Sequence, residues 1–250
     1  MKKKIQKFLR KKGHIFIPGA VLIIVTGFLV GAYFFIATPK EKNVDDVLGS
    51  FEKAIKEFYI DYDKLSINPN NHPRPDELLN KIREEEAKLS DEDPDNDRTA
   101  YELIAFNSRT LGDEEGAIRG YRASLALFPN NTLILNNIAT SYKDLEEYKK
   151  AEAAYKKIIE LSPGTVTAYR NLADLYLHPE LDKKDTIPTI IESGLASVPN
   201  DPDLLSYLAV YYKDEKNYSK AIEYYERLIK VNPKNEAAKQ DLSILKVLVN

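Results

Sequence analysis

The first pattern along the chain is an uninterrupted apolar run near its start. Residues 15–37 read IFIPGAVLIIVTGFLVGAYFFIA, and no residue from 15 to 39 is charged. As a helix this run spans about 34 Å, which exceeds the roughly 30 Å of a bilayer's hydrocarbon core. Seven Lys or Arg precede it between Lys2 and Lys12, and such residues remain on the cytoplasmic side. We therefore predict a basic cytoplasmic head over 1–14, a single-pass transmembrane helix over 15–38, and an extracytoplasmic remainder.

A cleaved signal peptide is the alternative interpretation of this run. Its apolar region would be shorter, roughly 7–15 residues, and would end in a small-x-small junction. A junction that ends at Ala37 would need a small residue at position 35, but that residue is Phe35. A signal-anchor is therefore favoured. Within the run, Gly27 and Gly31 form a G-x-x-x-G pair that would let two helices approach closely, although glycine is also simply common in membrane helices.

Beyond the apolar run the chain repeats itself with a period of 34 residues. Ala117 and Ala151 lie 34 apart, and Ala151 and Ala221 lie 70 apart. The prolines that end the units, at 129, 163, 199 and 233, are separated by 34, 36 and 34 residues. Each copy contains two segments of helical periodicity, so we predict four helix–turn–helix units over 98–234. The third unit carries two additional residues within HPELDKKDTIP (178–188), and it has Ile187 where the others have Ala.

These units resemble the tetratricopeptide repeat family, whose pattern is W-x2-L-G-x2-Y…A-x3-F…P. In the second unit the matching residues are Leu135, Ile138, Ala139, Tyr142, Ala151, Tyr155 and Pro163. The resemblance implies an all-α solenoid that requires capped ends. A final amphipathic segment over 235–250, with Asn235 as its N-cap, is the predicted C-terminal capping helix.

The segment over 39–97 is predicted to hold a juxtamembrane helical pair and an acidic linker. Apolar residues spaced by three and four predict a first helix of three heptads, namely Val44, Leu48, Phe51, Ile55, Phe58, Tyr62 and Leu65. A shorter helix over 76–90 follows. The pair would either cap the first repeat or form a coiled coil between two chains. The cap is favoured, because three heptads is the lower limit for a coiled coil.

In the resembling family the first helices of successive units line a concave groove that holds a peptide. The resemblance implies the partner-binding candidates Glu102, Phe106, Arg109, Asn136, Asn137, Thr140, Lys143, Arg170, Asn171, Asp174 and Lys213. Asn137 and Asn171 would bond either a ligand backbone or the solenoid itself. The basic clamp of chaperone-tail-binding members is not reproduced, since the corresponding positions hold Thr167, Asn171, Asp203 and Tyr207. A reader of C-terminal carboxylates is therefore not expected.

Composition excludes several kinds of function. Residues 1–40 carry a charge of +8 and the remainder carries −11, and an acidic body is unsuited to nucleic acid. The chain has no cysteine, three histidines and no catalytic motif, so we predict no catalytic residue, metal or cofactor. Asp91, Asp93, Asp95, Asp97 and Glu102 have the spacing of a calcium loop. However, Asn96 replaces the required glycine, and an acidic linker that caps the next helix is favoured.

Together these patterns predict a membrane-tethered scaffold that binds a protein or peptide partner in the groove and acts in secretion or envelope assembly. The alternative is a structural protein that forms a homodimer through its transmembrane and juxtamembrane helices.

Overall fold

The computed structural model describes residues 53–66, 74–89 and 93–249. These residues form twelve α-helices and two short 3₁₀ turns, with no β-strand among them. None of the helices in these ranges has the length and apolarity needed to cross a bilayer. The predicted head, transmembrane helix and Gly27/Gly31 pair lie outside the described residues.

The helices are numbered in chain order. Three precede the repeats: α1 (Ala54–Glu57), α2 (Tyr62–Ser66) and α3 (Pro75–Lys88). The first two units are α4 (Pro94–Thr110) with α5 (Glu114–Leu127), and α6 (Thr132–Asp144) with α7 (Tyr148–Leu161). The last two are α8 (Val166–Tyr176) with α9 (Ile187–Ser197), and α10 (Pro202–Asp214) with α11 (Tyr218–Val231), followed by α12 (Glu236–Leu248).

Small residues lie where the two helices of a unit cross. Ala117, Ala151 and Ala221 are each fully buried, because a larger side chain would keep the paired helices apart. Tyr121, Tyr155 and Tyr225 are each 2% exposed and fill the space beside the crossing. The third unit places Ile187 at its crossing, also fully buried. One continuous apolar core, from Ala105 to Leu245, therefore runs through all four units.

The turn inside each unit needs a left-handed backbone at one position. Gly112 has φ 88°, and its equivalents Glu146 and Lys216 have φ 61° and 57°. Only glycine adopts this conformation without a steric cost from Cβ. The same backbone geometry therefore recurs in the second and fourth units, where the sequence has no glycine.

The third unit replaces this tight turn with a longer connection. Its two 3₁₀ turns, Pro179–Leu181 and Lys184–Thr186, accommodate the two additional residues. The buried Glu152 of α7 accepts hydrogen bonds from Tyr176 Oη (2.7 Å) and from Lys183 Nζ (2.6 Å). Burial would raise the pKa of Glu152, but these bonds and one from Lys156 hold it below its usual value. The insertion is thus tied to the preceding unit by a charged group.

The segment before the repeats covers the exposed end of the first unit. Leu65, Leu78, Leu79 and Ile82 form a second apolar cluster with the side chains of Ile104 and Leu111. Arg119 lies 4.0 Å from the ring centre of Tyr59 and donates a hydrogen bond to its carbonyl. The prediction that this segment packs on the first repeat is confirmed for residues 53–66 and 74–89.

The prediction of one continuous heptad helix is wrong over its described part. Residues 58–61 are not helical and separate α1 from α2, and Phe58 has an extended conformation (φ −69°, ψ 129°). The reason is tertiary: the Phe58 ring packs edge-on against Tyr101, at 4.8 Å between ring centres. Phe58, Tyr62 and Leu65 therefore contact the chain's own first unit. Val44, Leu48 and Phe51 lie outside the described residues.

The helix that follows the acidic linker begins earlier than predicted. It begins at Pro94, whereas the repeats were predicted to begin at residue 98. Asp93 is its N-cap and accepts from the Asp95 backbone N–H at 3.0 Å. Asp95 and Asp97 lie in the first turn, where their negative charges interact favourably with the positive end of the helix dipole. Residues 94–102 are therefore helical and do not form the loop that a calcium site of this spacing requires.

Candidate functional site

Five side-chain contacts join the first helix of one unit to the first helix of the next, and they mark one side of the solenoid. They are Arg109–Asp144 (2.8 Å), Asn171–Asn136 (3.1 Å), Arg170–Asp203 (3.2 Å), Tyr207–Asp174 (2.8 Å) and Lys213–Asp241 (2.9 Å). All ten residues belong to α4, α6, α8, α10 or α12. We call the side that carries these contacts, together with the equivalent positions of all the other units, which recur every 34 or 36 residues, the first-helix face.

Most predicted site residues lie on this face and take part in it. Six of the eleven candidates take part in these contacts between first helices, namely Arg109, Asn136, Arg170, Asn171, Asp174 and Lys213. A seventh, Phe106, is exposed on the same face. Asn137 is half-buried and Lys143 is exposed at equivalent positions. Thr140 donates a hydrogen bond to the Asn136 carbonyl within α6.

Glu102 is placed differently from the other candidates. It accepts hydrogen bonds from Ser124 Oγ of α5 and from Arg98 of α4, both at 2.9 Å. Because Ser124 is fully buried, Glu102 joins the two helices of its own unit instead of standing free on the face. Asn171 was predicted to bond either a ligand backbone or the solenoid itself. In the structure its side chain donates a hydrogen bond to the Asn136 side chain, within the solenoid.

Exposed apolar side chains are concentrated on the first-helix face. Of eleven large apolar residues that are exposed in the described chain, eight occupy its register positions: Leu103, Phe106, Leu133, Leu177, Val210, Ile244, Val247 and Leu248. Only Tyr59, Val231 and Val249 lie elsewhere. Sequence reasoning identified Phe106 alone among the eight. Leu177 lies 34 residues after Lys143, and Val210 lies 36 residues after Asp174. The repeat spacing alone could therefore have predicted that both residues belong to the same face.

A cavity of about 440 Å³ opens on this face between α8 and α10. Its wall is partly apolar, formed by Leu177, Val210, Tyr207 and Tyr211, and partly charged. The Tyr207 hydroxyl donates a hydrogen bond to Asp174 at 2.8 Å, and burial together with this bond raises the pKa of Tyr207 well above its usual value. Tyr207 is therefore a neutral hydrogen-bond donor throughout the physiological range.

Charge varies along the face. A smaller cavity of about 360 Å³ between α6 and α8 is lined by Leu133, by Ile158 and by neutral polar residues such as Asn136 and Asn171. The α8–α10 cavity instead has Asp174, Asp203, Asp214 and Glu215 against Arg170 and Lys184. Clusters of side chains that could hold a metal ion are absent from the described ranges.

These features define an α-solenoid of paired helices with an apolar and partly acidic face. Family models of the tetratricopeptide repeat match residues 133–165 and 202–235, which fall on the second and fourth units. The second and fourth units are therefore tetratricopeptide repeats, as the sequence pattern predicted. Proteins built on this repeat generally serve as scaffolds for protein interaction and not as catalysts.

Comparison with individual proteins gives partial matches. The chain is 25% identical over 142 residues to anaphase-promoting complex subunit 8 of Dictyostelium discoideum, covering 56% of this chain and 23% of the relative. It is 33% identical over 70 residues to the uncharacterized protein ycf37 of Pyropia yezoensis, covering 28% of this chain and 39% of that one. The chain thus spans well under half the length of these relatives.

The fold has a solved counterpart in a tetratricopeptide repeat protein from Parabacteroides merdae. The TM-score is 0.52 at 18% identity, and the match covers 80% of this chain and 73% of the other. At this level of identity the similarity concerns the fold alone.

Proposed function

We propose that this protein is a membrane-tethered, non-enzymatic scaffold that binds a protein partner on its first-helix face. The observation that carries the proposal is the concentration of exposed apolar side chains there, eight of eleven in the described chain. A soluble surface seldom gathers such residues in one place unless another molecule covers them. Aromatic and apolar anchors of this kind provide most of the binding energy in protein interfaces.

The tether is the apolar run over 15–38 that follows the basic head. Its length matches a bilayer, and the one-sided distribution of Lys and Arg puts the amino terminus in the cytoplasm and the repeats outside it. A scaffold held at that surface would act in secretion or envelope assembly, where proteins must be gathered next to a membrane.

Site-specific photo-crosslinking in cells that produce the full chain tests the partner site. A photoreactive amino acid at Phe106 or Val210, which are 59% and 41% exposed on the face, should crosslink to one and the same protein. The matched control is Val231, which is 41% exposed on the opposite helix type, at the end of α11. Equal adducts from Val231 would remove the first-helix face as the binding surface.

Protease protection in the same cells tests the tether. Protease added outside spheroplasts should remove residues 40–250 and leave a small membrane-bound fragment. Complete protection of a folded repeat region, with cleavage only after the membrane is opened, would reverse the proposed orientation.

A further inference from the structure

The cavity between α8 and α10 combines exposed apolar surface with uncompensated negative charge. Leu177 and Val210 are 51% and 41% exposed although they line a concave part of the molecule. Covering them removes apolar surface from water and is favourable in proportion to the area covered. The volume of about 440 Å³ is within the roughly 300–1,000 Å³ of ligand pockets and is enough for a few side chains.

The charges around the cavity do not balance. Arg170 is paired with Asp203 at 3.2 Å, and Lys184 is paired with Glu215 at 2.5 Å. Both cations are thereby taken up by carboxylates of the neighbouring element. Asp174 and Asp214 are exposed and have no cationic partner among the residues that the structure describes.

The hydrogen bond from Tyr207 does not neutralise Asp174, because the phenol stays uncharged. The cavity therefore has a net charge of −2 from its lining residues, which also include the two tyrosines Tyr207 and Tyr211. A guanidinium or ammonium group is attracted both to carboxylates and to aromatic rings. An anionic ligand would be repelled, which is the reverse of a basic carboxylate clamp.

We propose that this cavity receives a Lys or Arg side chain adjacent to a bulky apolar side chain. Both side chains belong to a segment of the partner protein, so the inference rests on the proposed function. The apolar side chain packs on Leu177 and Val210. The cation lies between Asp174 and Asp214 at the edge of the cavity. The partner is thus recognised by a basic–apolar pair, with the charge giving selectivity and the apolar contact giving affinity.

A synthetic peptide array probes this selectivity with the full chain in neutral detergent. Twelve-residue peptides of one flexible background carry a central Leu-Arg, Leu-Lys, Leu-Gln, Leu-Glu or Ala-Arg pair. We expect Leu-Arg and Leu-Lys to bind best, with a preference over Leu-Gln of roughly three- to tenfold at low salt that declines as salt is added. Equal binding of Leu-Arg and Leu-Glu would overturn the proposal.

Variants connect the preference to the cavity. Asp174→Asn with Asp214→Asn keeps side-chain size and, through the amide oxygen, the acceptor for Tyr207, and should abolish the preference. Asp214→Lys should shift it towards Leu-Glu. The matched control is Glu160→Gln with Glu223→Gln, which removes the same charge from exposed positions on α7 and α11 and should leave the preference intact. A preference that survives the Asp174/Asp214 change, with the melting temperature unaltered, contradicts the assignment.

One further variant separates this proposal from the proposed function. Val210→Glu places a charge on the apolar wall, and peptides that occupy the face should no longer bind. If the parent chain binds Leu-Arg, Leu-Gln and Leu-Glu peptides equally and Val210→Glu abolishes the binding of all three, the face binds partners but the basic–apolar selectivity is wrong. If no peptide depends on Val210, both proposals fail. A dimer in sedimentation that the Asp174/Asp214 change dissolves would make a second copy the occupant and overturn the partner assignment.

Discussion

The two ends of the solenoid are closed in different ways. At the amino-terminal end, α2 and α3 contribute Leu65, Leu78, Leu79 and Ile82 to an apolar cluster that also includes Ile104 and Leu111 of the first unit. At the carboxyl-terminal end, the single helix α12 buries only Ala238 (3% exposed) and Leu245 (2% exposed) to a comparable degree. The first end is closed by burying apolar surface under a segment without the repeat pattern.

The second end is closed by a change of side chains within the repeat pattern. Helix α12 is in register with α10, where Leu205, Ala209 and Tyr212 are buried against the next helices. The equivalent residues of α12 are polar and exposed, namely Lys239, Ser243 and Lys246. A repeat array needs a polar outer surface where it stops, since an apolar one would recruit another unit. One end therefore depends on burial, and the other depends on polar side chains at the positions that would contact a further unit.

The largest effect is expected from Ile82→Ala in α3. Ile82 is fully buried in the amino-terminal cluster, so truncation should lower the free energy of unfolding by about 2–5 kcal/mol. Urea denaturation of the full chain in detergent, followed by circular dichroism, measures this loss. Val247→Ala is the control, because Val247 is 76% exposed and its truncation should cost less than about 0.5 kcal/mol. A loss below about 1 kcal/mol for Ile82→Ala would mean that α3 is not part of the cooperative unit.

Leu245→Ala in α12 should cost less than Ile82→Ala, about 2 kcal/mol, at the low end of such truncations. Leu245 is also buried, but α12 has the main body of the solenoid on one side only and can settle into the space that is left. Urea denaturation under the same conditions gives the comparison. Should Leu245→Ala prove as costly as Ile82→Ala, the two ends would depend equally on burial.

The repeat region was predictable from sequence because each unit contacts mainly its neighbours. The 34-residue period therefore predicted the helix pairs. The amphipathic pattern of the last segment predicted Asn235 as its N-cap, and the Asn235 side chain accepts a hydrogen bond from the Ala238 backbone N–H at 3.0 Å. Local patterns are enough where the packing partners follow a fixed period.

The amino-terminal segment was less predictable because long-range contacts decide its conformation. Spacings of three and four suit a continuous helix, yet Phe58 packs on Tyr101 and the Tyr59 carbonyl accepts from Arg119, 60 residues away. Such contacts leave no periodic trace. The same applies to the α8–α10 cavity, where the pairing of Arg170 with Asp203 removes a positive charge that the sequence alone suggests is available.

Acid should weaken both ends, through one carboxylate at each. A hydrogen bond from Lys64 lowers the pKa of Glu115. Burial would raise the pKa of Asp241, but hydrogen bonds from Lys213 and Tyr225 outweigh it and lower that pKa as well. Each folded-state pKa lies below the unfolded value, so the unfolded chain binds more protons in acid. The stabilisation is complete above the unfolded pKa, about 4, and is lost as pH falls through the folded pKa.

Urea midpoints between pH 6 and pH 3 test this dependence. Asp241→Asn and Glu115→Gln should each reduce the loss of unfolding free energy below about pH 4. The reduction should be less than about 1 kcal/mol, since both carboxylates are partly exposed and screened by solvent. The exposed Glu223→Gln is the matched control and should leave the slope as it is. If only one of the two changes flattens the curve, then only that end is held by its ion pair.

The smallest effect on stability, and the sharpest test of the comparison, comes from making α12 resemble an internal helix. Lys239→Leu, Ser243→Ala and Lys246→Tyr together restore the residue types of α10 at its outer positions. Because these positions are exposed, the free energy of unfolding at low concentration should change by less than about 1 kcal/mol. The altered end, however, should now associate with a second copy, because it offers the apolar surface on which another unit would stack. Sedimentation of the full chain in detergent at increasing concentration measures this, with Lys239→Arg and Lys246→Arg as the charge-preserving control. A triple variant that sediments as the parent chain does at all concentrations would show that the polar residues of α12 are not what ends the array.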